Sequence, residues 1–262
     1  MKLWVLAENT ACCDRFGAEH GLSLYLETLG HKILFDMGQT DLFARNARTL
    51  GLDLQTVEAA VLSHGHYDHG GGLEHFLNIN PGAPVYASPW ALRPHYHGEE
   101  KYIGIASGLK DCGRWAFVEE SKALFPGIQI LTSPPGRSGT ATDGMLVLKD
   151  GVFRPDDFRH EVYLLIQERG KRILLSGCSH RGIVEIVRAY RPDVVIGGFH
   201  VSKLDPQGDG RAALEGLAWE LINTGAVYYT CHCTGLPQFR FLKERMGDRI
   251  HYLSGGMTLD LV

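Results

Sequence analysis

The sequence predicts an α/β sandwich. Segments with the apolar or alternating patterns of β-strands occur in both halves of the 262-residue chain. Helical segments alternate with these strands, which favours mixed sheets covered by helices over an all-β or all-α fold. Hydrophobic residues make up 44% of the chain, so a core large enough for such layers is available.

The residue pattern of the N-terminal half predicts strands that lead into helices. The segment 22–27 alternates apolar and polar residues with the period of two that a half-buried strand shows. Asp36 ends the next strand, and Thr40 is a suitable N-cap for the first helix. A buried strand then precedes the segment 63–72, and a second helix begins near Leu73. The predicted strands cover 3–7, 22–27, 32–35 and 59–62, and the first helix covers 41–50.

The C-terminal half returns to a regular alternation after an irregular segment. Residues 81–137 carry prolines, glycines, aromatic residues and scattered histidines, and predict loops and short elements over a core. Within a single domain spanning 1–262, we interpret 88–137 as a lid-like insertion, because long loops in compact domains are often functional. The remaining predicted strands are 145–148, 162–167, 172–176, 194–196, 227–230 and 250–253, and the helices are 182–189, 210–223 and 237–246.

Composition and charge argue against several classes of protein. The net charge of −4, with histidine neutral, gives no reason to expect nucleic acid or an anionic membrane as a partner. No apolar run approaches the roughly 18 residues of a membrane span, and the apolar start of the chain is too short for a signal peptide. The six cysteines form no C-x-x-C pair and are expected to be reduced. We therefore predict a cytoplasmic protein that acts on a small molecule, and homo-oligomers remain open.

The strongest functional signal is the segment 63–72, S-H-G-H-Y-D-H-G-G-G. On an extended segment His64 and His66 point to the same side, so both imidazoles can bind one ion. Asp68 and His69 lie where the chain turns toward the helix and can face a second ion. Imidazole and carboxylate together suit zinc, with iron and manganese as alternatives. The glycines permit close backbone approach and positive φ.

This motif resembles the H-x-H-x-D-H signature of the metallo-β-lactamase superfamily. Other blocks resemble one subgroup, which includes metal-dependent hydrolases of the β-lactamase superfamily II and proteins named 7,8-dihydropterin-6-methyl-4-(β-D-ribofuranosyl)aminobenzene 5′-phosphate synthase. The resemblance implies a four-layer αβ/βα sandwich with two metal ions at the edge between two β-sheets. The blocks that carry it are A-E-H-G-L-S at 18–23, F-D-M-G-Q at 35–39, the segment 62–72, G-C-S-H at 177–180 and C-H-C-T-G at 231–235.

The resemblance also implies a set of metal ligands. His64 and His66 resemble two ligands of the first ion, and His160, ahead of a predicted strand, fits the third. His232, after the strand at 227–230, fits the last ligand of the pair. Asp36 fits an acceptor beneath the metal loop that orients a ligating imidazole. From the residues alone, His160 can also be a surface residue, His232 a core histidine and Asp36 a helix cap.

Cys178 departs from the family pattern, which usually has a bridging aspartate at this place. A thiolate can also ligate or bridge zinc. The alternative is that Cys178 is buried without a role and that Ser179 or His180 acts instead. We expect Cys231 and Cys233, which flank His232, to point away from the metals and to pack as small apolar residues.

Histidines outside the ligand set have candidate roles in substrate contact, in a lid or in the N-terminal sheet. His200 follows a strand and is a candidate for contact with a substrate anion, with a structural role as the alternative. His95 and His97 lie in the irregular segment, either on a lid over the site or on an exposed loop. We interpret His20 and the preceding Glu19 as a buried polar pair that holds the N-terminal sheet.

The predicted mechanism is hydrolysis by a water that two metal ions share and activate, because metal binding lowers the pKa of water to about 7. Asp68 is expected to hold one metal and to orient the nucleophile, and His180 or His200 to protonate the leaving group. The expected substrate is a small phosphorylated or ester-type molecule, although the fold alone does not decide this.

Two other functions remain open. A non-hydrolytic synthase or transferase would join a dihydropterin precursor to an aminobenzene riboside phosphate, and we would expect it to have an aromatic pocket. A redox enzyme or a non-catalytic metal-binding protein is disfavoured, because di-iron oxidoreductases of the superfamily typically carry Glu where this chain has His66. The aromatic residues that could line such a pocket are Trp90, Tyr96, Tyr102 and Trp115.

Overall fold

The computed structural model describes residues 1–134 and 144–261. The strands found there, in chain order, are β1 (Lys2–Ala7), β2 (Ser23–Thr28), β3 (His31–Phe35), β4 (Ala59–Val61), β5 (Val85–Ala87), β6 (His95–His97), β7 (Lys101–Tyr102), β8 (Trp115–Phe117), β9 (Lys122–Phe125), β10 (Ile128–Thr132), β11 (Met145–Lys149), β12 (Val152–Pro155), β13 (Val162–Glu168), β14 (Lys171–Leu175), β15 (Val194–Ile196), β16 (Val227–Thr230), β17 (Ile250–Tyr252) and β18 (Thr258–Asp260).

The α-helices in the same ranges lie mainly between the parallel strands. They are α1 (Leu42–Thr49), α2 (Tyr67–Gly70), α3 (Leu73–Ile79), α4 (Ile183–Tyr190), α5 (Arg211–Asn223) and α6 (Leu236–Met246). None of these helices combines the length and the apolar character that crossing a lipid bilayer requires.

The strands form two large sheets and one small sheet. The first sheet has the order β18-β1-β2-β3-β4-β5-β8, and the second has the order β17-β16-β15-β14-β13-β10-β9. The small sheet has the order β12-β11-β6-β7. Both large sheets mix parallel and antiparallel neighbours.

Apolar residues lie on both faces of the large sheets, which explains the layering. Leu24 and Leu26 of β2 enter the core between the sheets, whereas Tyr25 packs on the outer face with α1. Fully burying one such side chain contributes roughly 1.5–3 kcal/mol. Helices α1 and α3 cover the first sheet, and α4, α5 and α6 cover the outer face of the second. The four layers agree with the predicted αβ/βα sandwich.

Parallel strands bring the motif loops to one edge of the molecule. In the first sheet β3 is parallel to β4, and in the second β14, β15 and β16 are parallel neighbours. Carboxyl ends of parallel strands meet at the same edge of a sheet, where α/β proteins commonly bind ligands. The segments that follow these five strands contain Asp36, the 63–72 motif, the 177–180 block, His200 and His232.

The irregular segment contributes more to the sheets than its sequence predicts. Strands β5 and β8 belong to the first sheet, and β9 and β10 to the second. Ile128 and Ile130 of β10 lie in the core between the sheets. These strands are only partly buried, unlike the short but fully buried β4 and β15, and β12 and β18 were missed for the same reason. Residues 135–137 of the predicted insertion lie outside the described residues, and its role as a lid stays a prediction.

Helix starts also differ in detail from the expectation. Helix α1 begins at Leu42 with Asp41 at the capping position, not Thr40. The Thr40 hydroxyl nevertheless accepts the Leu42 N–H at 3.2 Å, so it stabilises the first turn from one residue further back. The additional short helix α2 lies inside the metal-binding motif, where only a turn was expected.

Asn46 of α1 fixes the segment between β1 and β2 that reaches the site. Its buried side-chain amide donates hydrogen bonds to the carbonyls of Leu6 at 2.8 Å and Gly17 at 3.0 Å. Its side-chain oxygen accepts the Gly17 N–H at 3.1 Å. One side chain therefore satisfies three backbone groups and ties this segment to the first helix.

Replacing Asn46 by alanine should destabilise the fold, because three hydrogen bonds are lost and buried backbone groups are left unpaired. We expect the free energy of unfolding to fall by about 1–3 kcal/mol. Urea denaturation measures this, with the exposed Asn78→Ala on α3 as the control that should change little. Equal stabilities of the two variants would contradict the role of Asn46.

Candidate metal centre

The structure brings most of the predicted site residues together around one cavity. The cavity has a volume of about 370 Å³ and lies at the strand edge described above. A larger surface groove of about 870 Å³ runs along α4 and α5, but its lining contains none of the predicted ligands. The predicted site residues that line the smaller cavity are His66, Asp68, Cys178, His180, His200 and His232. His64, His69 and His160 are buried behind or beside it.

Asp36 organises the first motif, as the resemblance predicted. Its carboxylate is fully buried and accepts the Ser63 N–H and the Ser63 hydroxyl, each at 2.7 Å. It also lies 2.7 Å from Nδ1 of His69. Because a carboxylate only accepts, His69 carries its proton on Nδ1 and turns the Nε2 lone pair toward the cavity.

Ser63 extends this effect to His64. Its hydroxyl already donates to Asp36, so it accepts from Nδ1 of His64 at 2.8 Å. The Nε2 lone pair of His64 is thereby also directed into the cluster. One carboxylate therefore fixes the ring orientation of two predicted ligands.

His232 is fixed by a partner on the other side of the cluster. Its Nδ1 donates to the Asn9 side-chain oxygen at 2.7 Å, which leaves Nε2 as an acceptor. This Nε2 lies 3.3 Å from Nε2 of His69 and 3.2 Å from an oxygen of Asp68. Nε2 of His69, Nε2 of His232 and the Asp68 oxygen are thus three acceptors that face one another. A bound cation would satisfy all three.

The spacing of these atoms fits a zinc-like ion. Two nitrogen atoms bound to one tetrahedral zinc ion lie roughly 3.3 Å apart, because each Zn–N bond is about 2.0–2.1 Å. Nε2 of His69 and Nε2 of His232 are separated by 3.3 Å. The residues present therefore fit the metal that the sequence predicted at the second position, with Asp68 as its carboxylate.

The first position has the same character. Nε2 of His64 lies 3.3 Å from Nε2 of His180. The ring centre of His66 is 4.6 Å from that of His64 and 4.9 Å from that of His180. Nε2 of His66 is buried and has no hydrogen-bond partner among the described residues. A buried polar atom without a partner is costly, and a metal ion would satisfy it. The donor atoms that group with His66 belong to His95, Asp156 and His160, whereas His64 groups with Cys178 and His180, so a shared ion for His64 and His66 stays a prediction.

The predicted third ligand of this ion, His160, lies close by, but neither of its ring nitrogens presents a lone pair to the cluster. Its Nδ1 accepts the Gly65 N–H at 2.9 Å, so the neutral ring carries its proton on Nε2. That Nε2 faces a carboxylate oxygen of Asp156 at 3.3 Å. To bind a metal through Nε2, His160 would have to give up the Gly65 bond. His160 stays a predicted ligand, and His180 is the ring whose nitrogen already faces His64.

Cys178 lies between the two positions. Its sulfur is 3.1 Å from Nε2 of His69. It also lies within 4.8 Å of a ring nitrogen of His64 and one of His180. Burial, followed by the neighbouring Cys233, raises the pKa of the Cys178 thiol well above its usual value. A thiolate at this place would therefore need a cation beside it. Its role as a direct ligand stays a prediction.

Burial sets the protonation states of the cluster. Burial, and then the neighbouring imidazoles, hold the pKa values of His64, His66 and His180 well below that of a free imidazole. Burial alone would raise the pKa of Asp68, but His69 and the other adjacent histidines hold it well below its usual value. Burial lowers the pKa of His69, but Asp36 and Asp68 outweigh it and raise that pKa above its usual value, so a proton competes with a metal ion there. At the other three rings, neutral imidazole beside an ionised carboxylate is the form that metal binding requires.

Two further buried carboxylates, which no sequence pattern marks, position the loops behind the rings. Glu161 accepts the His180 N–H at 2.7 Å and the Arg181 N–H at 3.0 Å. Glu8 accepts the His232 N–H at 2.7 Å. Both are far in sequence from the backbone groups that they bind, so no local pattern marks them.

Backbone strain is concentrated at the same loops. Asp36, Ser179, His200 and His232 all have positive φ, between 47° and 58°. Non-glycine residues in this region cost roughly 1–3 kcal/mol each and persist where the surrounding structure imposes them. Each of the four follows the carboxyl end of a parallel strand, so the strain helps to hold side chains over the sheet edge.

Glycine allows the loops to approach each other. A Cβ at Gly177 would lie 2.2 Å from the Ser63 hydroxyl, and one at Gly65 would lie 2.1 Å from the Ala91 carbonyl. Both contacts are closer than any side chain tolerates. The expected positive φ is not found in the glycines at 70–72. Close approach rather than backbone conformation explains that run.

Three histidine and cysteine predictions need correction. His20 is not buried with Glu19: its side chain is 54% exposed, and its Nε2 lies 3.3 Å from Asp68. His95 is buried rather than exposed, and its Nδ1 lies 2.7 Å from Asp156. Cys231 packs in the core as expected, but Cys233 lines the cavity. These contacts join segments that are distant in sequence, and strand pairing, not local pattern, decides them.

The cavity at the candidate metal site is not the aromatic pocket that a synthase would be expected to have. None of the four aromatic residues proposed for it lines the cavity, where Tyr67 is the aromatic residue that does. Trp115 packs instead against the core beneath α1 and α3. The lining also includes the exposed basic residues His97, Lys101 and Lys203, which form its basic rim.

Comparison with known proteins agrees with this geometry. A family model described as the metallo-beta-lactamase superfamily matches residues 17–203. The chain is 28% identical to 7,8-dihydropterin-6-methyl-4-(beta-D-ribofuranosyl)-aminobenzene-5′-phosphate synthase of Methanocaldococcus jannaschii over 288 residues, which cover 99% of this chain and 96% of that protein. It is 31% identical to the uncharacterized protein MJ0448 of the same organism over 206 residues, 75% of this chain and 78% of that protein.

Among solved structures, the chain is similar to Tm1679, a metal-dependent hydrolase of the β-lactamase superfamily. The TM-score is 0.84 at 29% identity, and the match covers 100% of this chain and 99% of that one. The predicted resemblance and fold class are therefore confirmed. The enzyme class predicted from the sequence agrees with the description of Tm1679.

Replacing Asp36 by asparagine tests the orientation of the rings. The amide keeps the shape but presents only one accepting oxygen, so the bonds to Ser63 and His69 cannot all be kept. We expect zinc affinity to fall about 10–100-fold, measured by competition with a chromophoric chelator. The exposed Asp111→Asn is the matched control. Unchanged affinity in Asp36→Asn would show that Asp36 does not orient the ligands.

Proposed function

The chain belongs to the metallo-β-lactamase superfamily, and on that basis we propose that it hydrolyses a small phosphorylated or ester-type molecule with water activated by two metal ions, zinc by preference. The observation that carries the proposal is the convergence of Nε2 of His69, Nε2 of His232 and an Asp68 oxygen, which lie 3.2–3.9 Å from one another. Bound divalent ions would supply a water of lowered pKa as the nucleophile.

The residues of the chain divide the remaining tasks. His69, His232 and Asp68 hold the second position, and His64 and His66 hold the first together with His180 or His160. Asp68 accepts from Nε2 of His20 at 3.3 Å, which orients the carboxylate toward the cavity. His180 and His200 both line the cavity with ring centres 4.3 Å apart, and either can protonate a leaving group there.

The basic rim supports a phosphorylated substrate. Lys203 Nζ lies 3.3 Å from Nε2 of His97, and Lys101 borders the same cavity from strand β7. Asp68 is the one carboxylate among the described lining residues, and it lies on the metal side. A substrate with its reacting bond over the cluster would place an anionic group against the lysines, where charge-assisted hydrogen bonds are strong.

A non-hydrolytic synthase remains the second candidate, because the similarity to the M. jannaschii synthase extends over 99% of the chain. The cavity gives it less support than it gives hydrolysis, since the described lining is metal-binding and basic rather than aromatic. A cytoplasmic location and the absence of nucleic-acid and membrane partners stay predictions from the sequence.

His66→Ala tests the proposed function directly. Loss of one ring from the first position should lower bound zinc and reduce hydrolysis of the best substrate at least about 100-fold, because the nucleophile is no longer generated. Elemental analysis and turnover on a panel of phosphodiesters, phosphomonoesters, thioesters and lactones measure both effects. His75→Ala on the exposed face of α3 is the control. Metal content and turnover both at the control level would refute the proposal.

Lys101→Ala tests the basic rim. For a phosphorylated substrate we expect kcat/KM to fall about tenfold, or ~1.4 kcal/mol, because one charged contact to the phosphate is lost. A neutral ester with the same leaving group should be affected much less. Lys149→Ala, an exposed lysine of the small sheet outside the cavity, should leave both values unchanged. An equal loss for both substrates would indicate a structural role for Lys101.

A further inference from the structure

We infer that Cys178, Cys233 and His200 form a thiolate-rich metal position beside the histidine and aspartate cluster. The two sulfur atoms and a ring nitrogen of His200 all lie within 4.8 Å of one another. Both cysteines are buried, and His200 is half-buried. Two thiolates with one imidazole are a donor set that zinc, cobalt and cadmium bind well.

The backbone around Cys233 is arranged to present its sulfur to this position. The His200 N–H donates to the Cys233 sulfur at 3.3 Å, and the Cys233 thiol lies 3.6 Å from the Cys178 carbonyl. A Cβ at Gly198 would lie 2.3 Å from the same sulfur, so only glycine leaves room for it. N–H bonds to sulfur are a common way in which proteins tune metal-bound thiolates.

The loops that carry the three donors are held independently of any ion. His200 has a φ of 53°, a conformation that its loop imposes on it. The Phe199 N–H donates to the Thr234 hydroxyl at 2.9 Å, which joins the loop after β15 to the one after β16. The donors are therefore preorganised rather than brought together by chance contact of mobile side chains.

The position adjoins the predicted dimetal site through one shared atom. The Cys178 sulfur is 3.1 Å from Nε2 of His69, and it also forms a separate donor group with Cys233 and His200. Thiol-seeking metals should therefore prefer this side, and oxygen-seeking metals the side of Asp68. A His200 ring that binds this metal would not be a proton donor. His180 would then protonate the leaving group, which requires that His160 and not His180 holds the first position.

Cobalt titration of the metal-stripped full chain tests this inference. The readout is the thiolate-to-cobalt charge-transfer absorbance in the near ultraviolet, which needs no substrate and no hydrolytic activity. We expect Cys233→Ala to lose about half of the wild-type absorbance, since one of two thiolate ligands is removed. Cys231→Ala, which removes the other cysteine beside His232 but from the apolar core, should retain it.

A full wild-type band in Cys233→Ala would overturn the inference, because Cys178 alone would then account for the thiolate. X-ray absorption of the zinc-loaded wild-type protein checks the result without any substitution. It should show two zinc–sulfur bonds per chain at about 2.3 Å. One bond or none would contradict the proposal. The hydrolytic proposal is judged separately by turnover, so either proposal can fail while the other holds.

Discussion

The site depends on a single electrostatic constraint: accepting atoms face one another in a buried space. Asp36 and Asn9 accept hydrogen bonds from Nδ1 of His69 and of His232. The Nε2 lone pairs of the two rings therefore face each other, with the nitrogens 3.3 Å apart. Asp68 adds a carboxylate oxygen 3.2 Å from one of them. Such an arrangement is unfavourable in the absence of a proton or a cation between the atoms. A proton on His69, whose pKa Asp36 and Asp68 raise against the effect of burial, or a bound cation would each relieve it.

This arrangement destabilises the scaffold, because it requires buried carboxylates and strained loops. Glu8 and Glu161 are buried and bind the backbone N–H groups of His232 and His180, far from any solvent that could replace those bonds. The positive φ of His200 and His232 adds further cost. Two sheets that pack through a large shared core provide the stability that offsets it, and their parallel strand ends give these loops a common edge.

The sequence predicted the parts of the site that are local or that follow a strand. The 63–72 motif, Asp36, Cys178 and His232 each come directly after a predicted strand, so their meeting at one edge follows from the fold class. It could not predict His20 beside Asp68, Asp156 between His95 and His160, or Cys233 beside Cys178. Those contacts depend on how segments outside the strand pattern cross the sheet edge. Strands β5 and β8 were also missed, because they are only partly buried, unlike the equally short β4 and β15.

Anomalous diffraction from a crystal of the zinc-loaded protein, measured at the zinc absorption edge, tests most directly whether these side chains bind metal. We expect one peak within bonding distance, about 2.0–2.2 Å, of His69, His232 and Asp68, and a second beside His64 and His66. Both peaks should lie at the carboxyl ends of the parallel strands. Rings in the same places with no anomalous peak between them would contradict the central claim that these side chains converge to bind metal.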